Sequence, residues 1–161
     1  MEIERKFLIQ KLEELPFSPF EYPHKELEQG YLCTAPVVRI RREDDDYVLT
    51  YKSKGLMARE EYNLPLTRDS YEHLKEKVDG RIIHKTRYVI PMNCICPENA
   101  DFCFTPLFLE LDIFHDDLAP LILAEIEFPN EETANTYPAP EWLGEDVTFS
   151  SAYHNSTLSR M

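Results

Sequence analysis

The chain has 161 residues and a net charge of −13, and 43% of its residues are hydrophobic. This length and composition predict one folded domain over residues 1–161 with its own apolar core. The acidic balance argues against nonspecific binding to nucleic acid or anionic membranes, and no apolar run is long enough to span a bilayer. Any polyanion that binds must therefore be small and held in a local basic site.

The N-terminus and the cysteines indicate the cellular compartment. The first residues are charged and have a strand-like pattern, which differs from the apolar stretch of a secretory leader. The paired spacing of a structural zinc site is missing from the four cysteines, which are Cys33, Cys94, Cys96 and Cys103. We therefore expect reduced thiols and a cytoplasmic protein.

Short runs of alternating apolar and polar residues dominate the first half of the chain. Alternation of this kind predicts half-buried β-strands separated by turns. The predicted strands cover residues 2–9, 37–42, 47–52 and 59–66, with a further stretch opening at residues 30–32. A polar turn at residues 43–46 joins two of these strands into a hairpin.

A helix is predicted directly after these strands. Thr67 supplies a capping hydroxyl, and Tyr71, Leu74 and Val78 follow at helical spacing. Gly80 is the expected end of this helix, because glycine readily adopts the left-handed conformation found at helix ends.

The second half of the chain continues the strand pattern. Strands are predicted over residues 82–92, 102–114 and 121–128, a loop over 93–101, a turn over 115–120 and a short helix over 131–137. The tail from residue 153 onward is either helical or irregular. Seven or so antiparallel strands with few helices predict a mainly β (α+β) fold whose sheet closes on itself.

Like-charged residues recur at alternate positions of the predicted strands. Because side chains alternate between the faces of a strand, Glu2, Glu4 and Lys6 lie on one face of the first strand. The same spacing joins Arg39 to Arg41, Lys85 to Arg87, Glu110 to Asp112 and Glu125 to Glu127, and further alternating runs carry Lys52 and Glu61. Cationic pairs suit phosphate oxygens, and carboxylate pairs suit hard divalent cations such as Mg²⁺ or Mn²⁺. The pattern therefore indicates a site that binds an anion and a metal together.

The pattern leaves two orientations of these charged faces open. If they point inward, they line a wet tunnel filled with phosphate and metal, because so many charges cannot lie in a dry core. If they point outward, the sheet is an ordinary half-exposed one with an apolar interior. Periodicity does not distinguish the two.

An ordered set of motifs resembles the CYTH domain of the triphosphate tunnel metalloenzymes. The resemblance begins with Glu2-x-Glu4-x-Lys6 and extends in order over nearly the whole chain. The other matching segments are Gln29-Gly30-Tyr31-Leu32, Val38-Arg39-Ile40-Arg41, Leu49-Thr50-Tyr51-Lys52, Lys85-Thr86-Arg87-Tyr88, Glu110-Leu111-Asp112-Ile113-Phe114, Ala124-Glu125-Ile126-Glu127 and Trp142-Leu143-Gly144-Glu145-Asp146-Val147-Thr148. The chain looks like the compact prokaryotic members of inorganic triphosphatase type.

The resemblance implies an eight-stranded antiparallel closed β-barrel with a few flanking helices and a triphosphate bound along its tunnel. The residues implied to bind phosphate oxygens are Lys6, Arg39, Arg41, Lys52, Lys85 and Arg87. The residues implied to hold one or two Mg²⁺ or Mn²⁺ ions are Glu2, Glu4, Asp112, Glu125 and Glu127. The residues implied to act in catalysis, including the positioning of water, are Lys52, Glu61, Glu110, Asp112 and Glu125.

Two positions depart from the family pattern. Asn63 stands where an acid is common, which would weaken or retune one metal position. His84 precedes Lys85 where an acid is also common. Alternation places His84 on the outer face of its strand, so we interpret it as a structural residue.

The resemblance implies hydrolysis of a triphosphate, inorganic tripolyphosphate first, by a metal-activated water. The enzyme alternatives are a class IV-type adenylate cyclase and a thiamine or nucleoside triphosphatase. The alternative from another class is a module that binds polyphosphate or nucleotide without turnover. The expected partner is a small triphosphate, with no nucleic acid and no membrane, and the sequence leaves a homodimer open.

Overall fold

The structure is a computed structural model that describes residues 1–99 and 105–161. Within this part, ten strands form one antiparallel sheet. They are β1 (Glu2–Leu8), β2 (His24–Thr34), β3 (Val37–Glu43), β4 (Asp46–Lys52), β5 (Ala58–Arg59), β6 (Glu61–Leu66), β7 (Asp79–Pro91), β8 (Phe108–Phe114), β9 (Ile122–Glu127) and β10 (Glu145–Asp146). The α-helices are α1 (Arg68–Lys75), α2 (Met92–Ile95), α3 (Glu131–Thr136) and α4 (Asn155–Leu158). Single 3₁₀ turns cover Leu12–Glu14, Pro19–Glu21, Pro97–Asn99, Asp116–Leu118, Glu141–Leu143 and Ser151–Tyr153.

The sheet curls into a nearly closed barrel. Its strand order is β10-β1-β9-β8-β7-β2-β3-β4-β6. Strand β5 pairs with β1 through Glu2 and Arg59, and only Glu60 separates β5 from β6 at the other end of the order. The mainly β barrel expected from the sequence is therefore confirmed. Its wall consists of eight strands of six or more residues, and the two-residue strands β5 and β10 add to the eight predicted.

Several predicted boundaries differ from those in the structure. The strand expected from residue 30 begins at His24, and the strand expected over residues 59–66 is interrupted at Glu60. The strand expected over residues 102–114 begins at Phe108 within the described part, and the predicted loop over 93–101 contains α2. Cys103 and the other predicted features at residues 100–104 lie outside the described residues.

Helix α1 begins as predicted and ends earlier than predicted. The side chain of Thr67 accepts a hydrogen bond from the Ser70 backbone N–H, and the Ser70 side chain accepts one from the Thr67 backbone. The helix ends at Lys75, so the assignment of Gly80 as its stop is wrong. Gly80 instead has φ +69° near the start of β7, where an added Cβ would lie 2.3 Å from the Ser159 carbonyl oxygen. That close approach requires glycine.

The main apolar core lies on the outer face of the barrel wall. Ile3, Phe7, Ile90, Leu111 and Ile126 point away from the charged faces of their strands and pack together. Residues of the segment that follows β1, and Ala134 of α3, cover this cluster. The alternating strands therefore bury an apolar face outside the barrel and turn their polar face inward. No helix in the described ranges is long and apolar enough to cross a bilayer.

Candidate active site

The strand register gathers the predicted site residues on one face of the sheet. Glu4 lies opposite Glu127, and Lys6 opposite Glu125, in the β1–β9 pair. Directly opposed residues share a face. This face points into the barrel, where it encloses a cavity of about 320 Å³. The cavity is lined by Glu2, Glu4, Lys6, Tyr31, Val37, Arg39, Arg41, Glu43, Val48, Thr50, Lys52, Arg59, Glu61, Asn63, Arg87, Glu110, Glu125, Glu127, His154, Asn155 and Ser156. The orientation with charges facing solvent is wrong for these residues.

Cations border the cavity although most of their surface is buried. The cationic residues of its lining are Lys6, Arg39, Arg41, Lys52, Arg59 and Arg87. Burial lowers the pKa of Arg41 to about 10, and the neighbouring charges of Arg39 and Arg87 add to that effect. Burial and the charge of Arg39 also lower the pKa of Lys52. These positive groups repel one another, so an anion among them would be stabilising.

Carboxylates crowd together on the β1 and β9 side of the cavity. Burial raises the pKa of Glu4 well above its ordinary value, and the charges of Glu125 and Glu2 raise it further. Burial likewise raises the pKa of Glu127, with Glu2, Glu110 and Glu61 contributing. Glu125 behaves differently. Burial would raise its pKa, but Lys6 and Arg87 hold that pKa well below its ordinary value.

Lys52 and Arg59 meet carboxylates at the junction of β1, β4 and β5. The Lys52 Nζ donates to Glu2 Oε1 at 2.9 Å and lies 3.6 Å from Glu61 Oε2. Arg59 Nη2 lies 3.8 Å from the same Glu2 oxygen. The Asn63 amide donates to Glu61 at 3.0 Å and accepts from the Thr50 hydroxyl at 2.7 Å. Asn63, one of the two departures from the family pattern, therefore links a tunnel carboxylate to the wall.

Two predicted site residues lie outside the cavity lining. Lys85 and Asp112 face inward but have no exposed surface, and Lys85 Nζ lies 2.7 Å from Asp112 Oδ2. Asp112 also accepts from Arg87 Nε at 2.7 Å and Arg87 Nη2 at 2.8 Å. Burial would raise the pKa of Asp112, but Arg87 and Lys85 lower it. These contacts commit Asp112 to two cations inside the barrel, beneath the side chains that line the cavity.

The C-terminal tail contributes residues that the strand pattern did not identify. Lys6 Nζ donates to the Tyr153 carbonyl at 3.2 Å, and Lys85 Nζ donates to Asn155 Oδ1 at 3.1 Å. His154 lines the cavity, and burial together with the charges of Lys6 and Arg59 lowers its pKa to about 4. The imidazole is therefore neutral near pH 7.

His84 has the position that its alternation predicted. It lies on the outer face, with its side chain 43% exposed and its Nδ1 3.8 Å from Glu28 Oε2. The interpretation of His84 as a structural residue fits this location outside the tunnel.

The donor set of the cavity suits a hard divalent cation. Within the described residues, no three His, Cys, Asp or Glu side chains are already gathered around one point as a metal site. However, burial raises the pKa of Glu4 and of Glu127, and the negative charges of neighbouring carboxylates raise both further, so a cation beside these groups would be stabilising. Carboxylate oxygens are the ligands that Mg²⁺ and Mn²⁺ prefer, so the residues fit such an ion chemically.

Two proteins named inorganic triphosphatase match this chain over most of its length. The chain is 35% identical over 161 residues to a protein named inorganic triphosphatase from Nitrosomonas europaea, across 98% of this chain and 96% of that protein. It is 33% identical over 135 residues to an inorganic triphosphatase from Acetivibrio thermocellus, across 81% of this chain and 77% of that protein.

Solved structures share the barrel. The crystal structure of the inorganic triphosphatase NE1496 matches with a TM-score of 0.68 at 33% identity, covering 100% of this chain and 95% of that one. The PH1012 protein from Pyrococcus horikoshii matches at 21% identity with a TM-score of 0.59, covering 84% of each chain, and shows the shared fold alone. The protein-family model described as CYTH domain matches residues 1–146, and this range contains every described strand of the barrel. The chain therefore belongs to the CYTH domain family.

Proposed function

We propose that the protein is a metal-dependent triphosphatase that hydrolyses inorganic tripolyphosphate inside the barrel. The observation that carries this proposal is the cavity within the barrel whose lining brings buried cations together with a cluster of carboxylates. A linear triphosphate carries dense negative charge and needs no apolar contacts. The relatives named inorganic triphosphatase support the same substrate.

The cations of the cavity would bind and orient the phosphate chain. Arg39, Arg41 and Arg87 offer planar forks of N–H donors that match phosphate oxygens. Lys6 and Lys52 offer point charges beside them. Phosphoryl transfer depends mostly on such positioning and on charge stabilisation, with little covalent chemistry for the protein. Their partial burial strengthens each contact, because the local dielectric is lower than that of water.

The carboxylates of β1 and β9 would hold the metal. Glu2, Glu4 and Glu127 are the proposed ligands, since all three line the same part of the cavity and the charge of Glu2 helps to raise the pKa of both Glu4 and Glu127. A bound Mg²⁺ or Mn²⁺ would supply charge neutralisation and lower the pKa of a coordinated water. Glu110 lines the cavity, and burial raises its pKa, with Glu125 and Asp112 contributing and Arg87 opposing. We assign Glu110 the orientation of water and acceptance of its proton, with Glu125 and Glu61 completing the negative lining.

Asp112 and Lys85 would act from inside the barrel, beneath the side chains that line the cavity. Asp112 engages both Nε and Nη2 of Arg87, which fixes the plane of that guanidinium. Its remaining near contact is the ammonium of Lys85. We therefore propose that Asp112 anchors the phosphate-binding cations and does not ligate the metal. The expected contact of Lys85 with phosphate would require it to leave Asp112.

Product analysis from a panel of triphosphates tests the proposed function. Purified protein is incubated with Mg²⁺ and inorganic triphosphate, ATP or thiamine triphosphate, and phosphate and cyclic AMP are measured. Phosphate release from inorganic triphosphate supports the proposal. Cyclic AMP as the main product from ATP would identify a cyclase, and binding without turnover of any compound would identify a binding module.

A further inference from the structure

Gln29 of β2 faces into the barrel and contacts Arg41. It lies directly opposite Arg41 in the β2–β3 register, and none of its surface is exposed. Its Oε1 accepts a hydrogen bond from Arg41 Nε at 2.9 Å. Because a guanidinium only donates hydrogen bonds, the atom that faces it must be the amide oxygen.

This bond determines which edge of Arg41 is available to a ligand. Nε is occupied by Gln29, and Nη1 donates to Glu43 Oε1 at 3.2 Å. Two fixed points hold the guanidinium plane, with Arg41 among the residues that line the cavity. Arg39 is held in a comparable way, because its Nη2 donates to the neutral hydroxyl of Thr50 at 3.3 Å.

The amide of Gln29 leaves one of its polar groups unsatisfied. The Nε2 of Gln29 is a buried donor with no hydrogen-bond partner among the described residues, and such a group destabilises the fold. A carboxylate has no donor to leave unsatisfied, and it would relieve the mutual repulsion of Arg39, Arg41 and Arg87 that lowers the pKa of Arg41. The amide therefore keeps an electrostatic strain that a substrate anion could relieve.

Charge explains why the amide would be retained. Arg41 already forms an ion pair with Glu43, whose Oε2 also lies 3.7 Å from Lys25 Nζ. A second carboxylate at the buried Nε edge would neutralise Arg41 on the side away from solvent and compete with a phosphate. A neutral acceptor orients the guanidinium without offsetting its positive charge. We propose that Gln29 is a positioning residue that holds Arg41 in a phosphate-receptive orientation and leaves its positive charge available to a phosphate.

The inference rests on the proposed function, and a substitution of equal shape tests it. Gln29→Glu keeps the acceptor and adds a charge, so KM for inorganic triphosphate should rise about tenfold or more, while kcat changes less than about threefold. Gln10→Glu is the matched control, because it adds the same charge at an exposed position and should leave both constants unchanged. A Gln29→Glu enzyme with the KM of the Gln10→Glu control would overturn the inference.

A double-mutant cycle covers the case in which Gln29→Glu fails to fold. Gln29→Met removes the acceptor at similar volume, and Arg41→Lys removes the Nε group that it holds. If Gln29 acts through Arg41, the rise in KM for the double variant should fall short of the product of the single rises by about threefold or more. Independent, multiplicative effects would show a packing role only and overturn the inference.

Binding measurements separate this inference from the proposed function. Calorimetric titration of inorganic triphosphate in the presence of chelator gives a Kd without turnover. If the wild type binds inorganic triphosphate but releases no phosphate in the activity assay, the proposed function fails. The Kd of Gln29→Glu should then still exceed that of the wild type by about tenfold or more. If the wild type turns over and Gln29→Glu binds equally well, the inference alone fails.

Discussion

At the residue scale, the tunnel contains charged groups whose placement opposes stability in the ligand-free protein. Glu4 lies opposite Glu127 in the β1–β9 register and beside Lys6 of its own face. Its raised pKa means that ionised Glu4 opposes folding in the ligand-free protein. Buried charges that lack a partner are a frequent mark of functional sites. The same side chains that weaken the empty barrel would bind metal and substrate.

Substitution of Glu4 should therefore change stability and activity in opposite directions. A carboxyl whose folded pKa is raised destabilises the fold at pH values above its unfolded pKa of about 4.3. Glu4→Gln should raise the free energy of unfolding at pH 7, measured by urea denaturation without ligand. Turnover with Mg²⁺ should fall about a hundredfold or more, because preorganised charge stabilisation is lost.

Glu13→Gln serves as the control for Glu4→Gln, since it removes the same charge at an exposed position. It should leave both stability and turnover close to those of the wild type. A Glu4→Gln protein that is less stable and fully active would contradict the assignment of Glu4.

Lys52 provides a second residue-scale prediction. Its ammonium bridges Glu2 and Glu61 at the cavity wall, so its loss would weaken the neutralisation of two carboxylates and remove a proposed phosphate contact. Lys52→Ala should lower kcat/KM for inorganic triphosphate by about tenfold or more. Lys11→Ala, at an exposed position after β1, should leave kcat/KM unchanged. Equal rates for the two variants at low and saturating substrate would contradict the proposed role of Lys52 in substrate binding and turnover.

At the element scale, helix α1 is tied to the outer wall of the barrel through one carboxylate. Glu28 of β2 accepts from the Tyr71 hydroxyl at 2.8 Å and lies 2.9 Å from Lys75 Nζ. Burial would raise the pKa of Glu28, but the bonds from Lys75 and Tyr71 hold it below its ordinary value. Glu28 therefore stabilises the docking of α1 while it is ionised.

The stabilisation from Glu28 should depend on pH. A lowered folded pKa gives stability that is present above the unfolded pKa of about 4.3 and is lost as pH falls through the folded value. Glu28→Gln should lower the free energy of unfolding at pH 7 by about 1 kcal/mol, and the difference from wild type should shrink below about pH 4. Urea denaturation at several pH values measures this.

Glu72→Gln is the matched control on α1, because Glu72 is exposed. It should show little effect at any of these pH values. A Glu28→Gln deficit that stays constant down to low pH would show that the ionised carboxylate is not the source of the stability.

Strand alternation made most of the tunnel lining predictable, because one spacing rule governs every strand face. Arg59 was missed since β5 has only two residues and carries no alternating run. The tail was missed for a related reason. A single 3₁₀ turn and the four-residue helix α4 carry too short a pattern to be recognised, and their contacts, from Tyr153 to Lys6 and from Asn155 to Lys85, join residues that are distant in sequence. The true end of α1 also depended on how the chain enters β7, which local propensity does not determine.

At the scale of the whole molecule, a cavity lined by clustered cations and carboxylates lies inside an acidic protein. The net charge of −13 would repel polyanions from most of the surface, while the buried cations of the cavity would attract a small one into the barrel. The main apolar core packs on the outer face of the barrel wall and holds the charged inner faces of the strands in place. The order of motifs made this architecture predictable, whereas the opposite orientation of the faces fitted the periodicity equally well.

Metal dependence is the first prediction at this scale. A metal held by the carboxylates of β1 and β9 would activate the attacking water, so excess chelator should abolish phosphate release. Activity should return when Mg²⁺ or Mn²⁺ is restored in excess of the chelator. Full turnover in the presence of chelator would exclude the proposed metal site.

The most direct measurement of the central claim is a competition between inorganic triphosphate and ATP in one enzyme sample. The lining described here provides charged partners for three linked phosphates, and a nucleoside would add bulk without a matching gain in contacts. Phosphate release from each substrate, followed over time with Mg²⁺ present, gives the ratio of their kcat/KM values. The account predicts a clear preference for inorganic triphosphate. A preference for ATP, or cyclic AMP as the product, would contradict it.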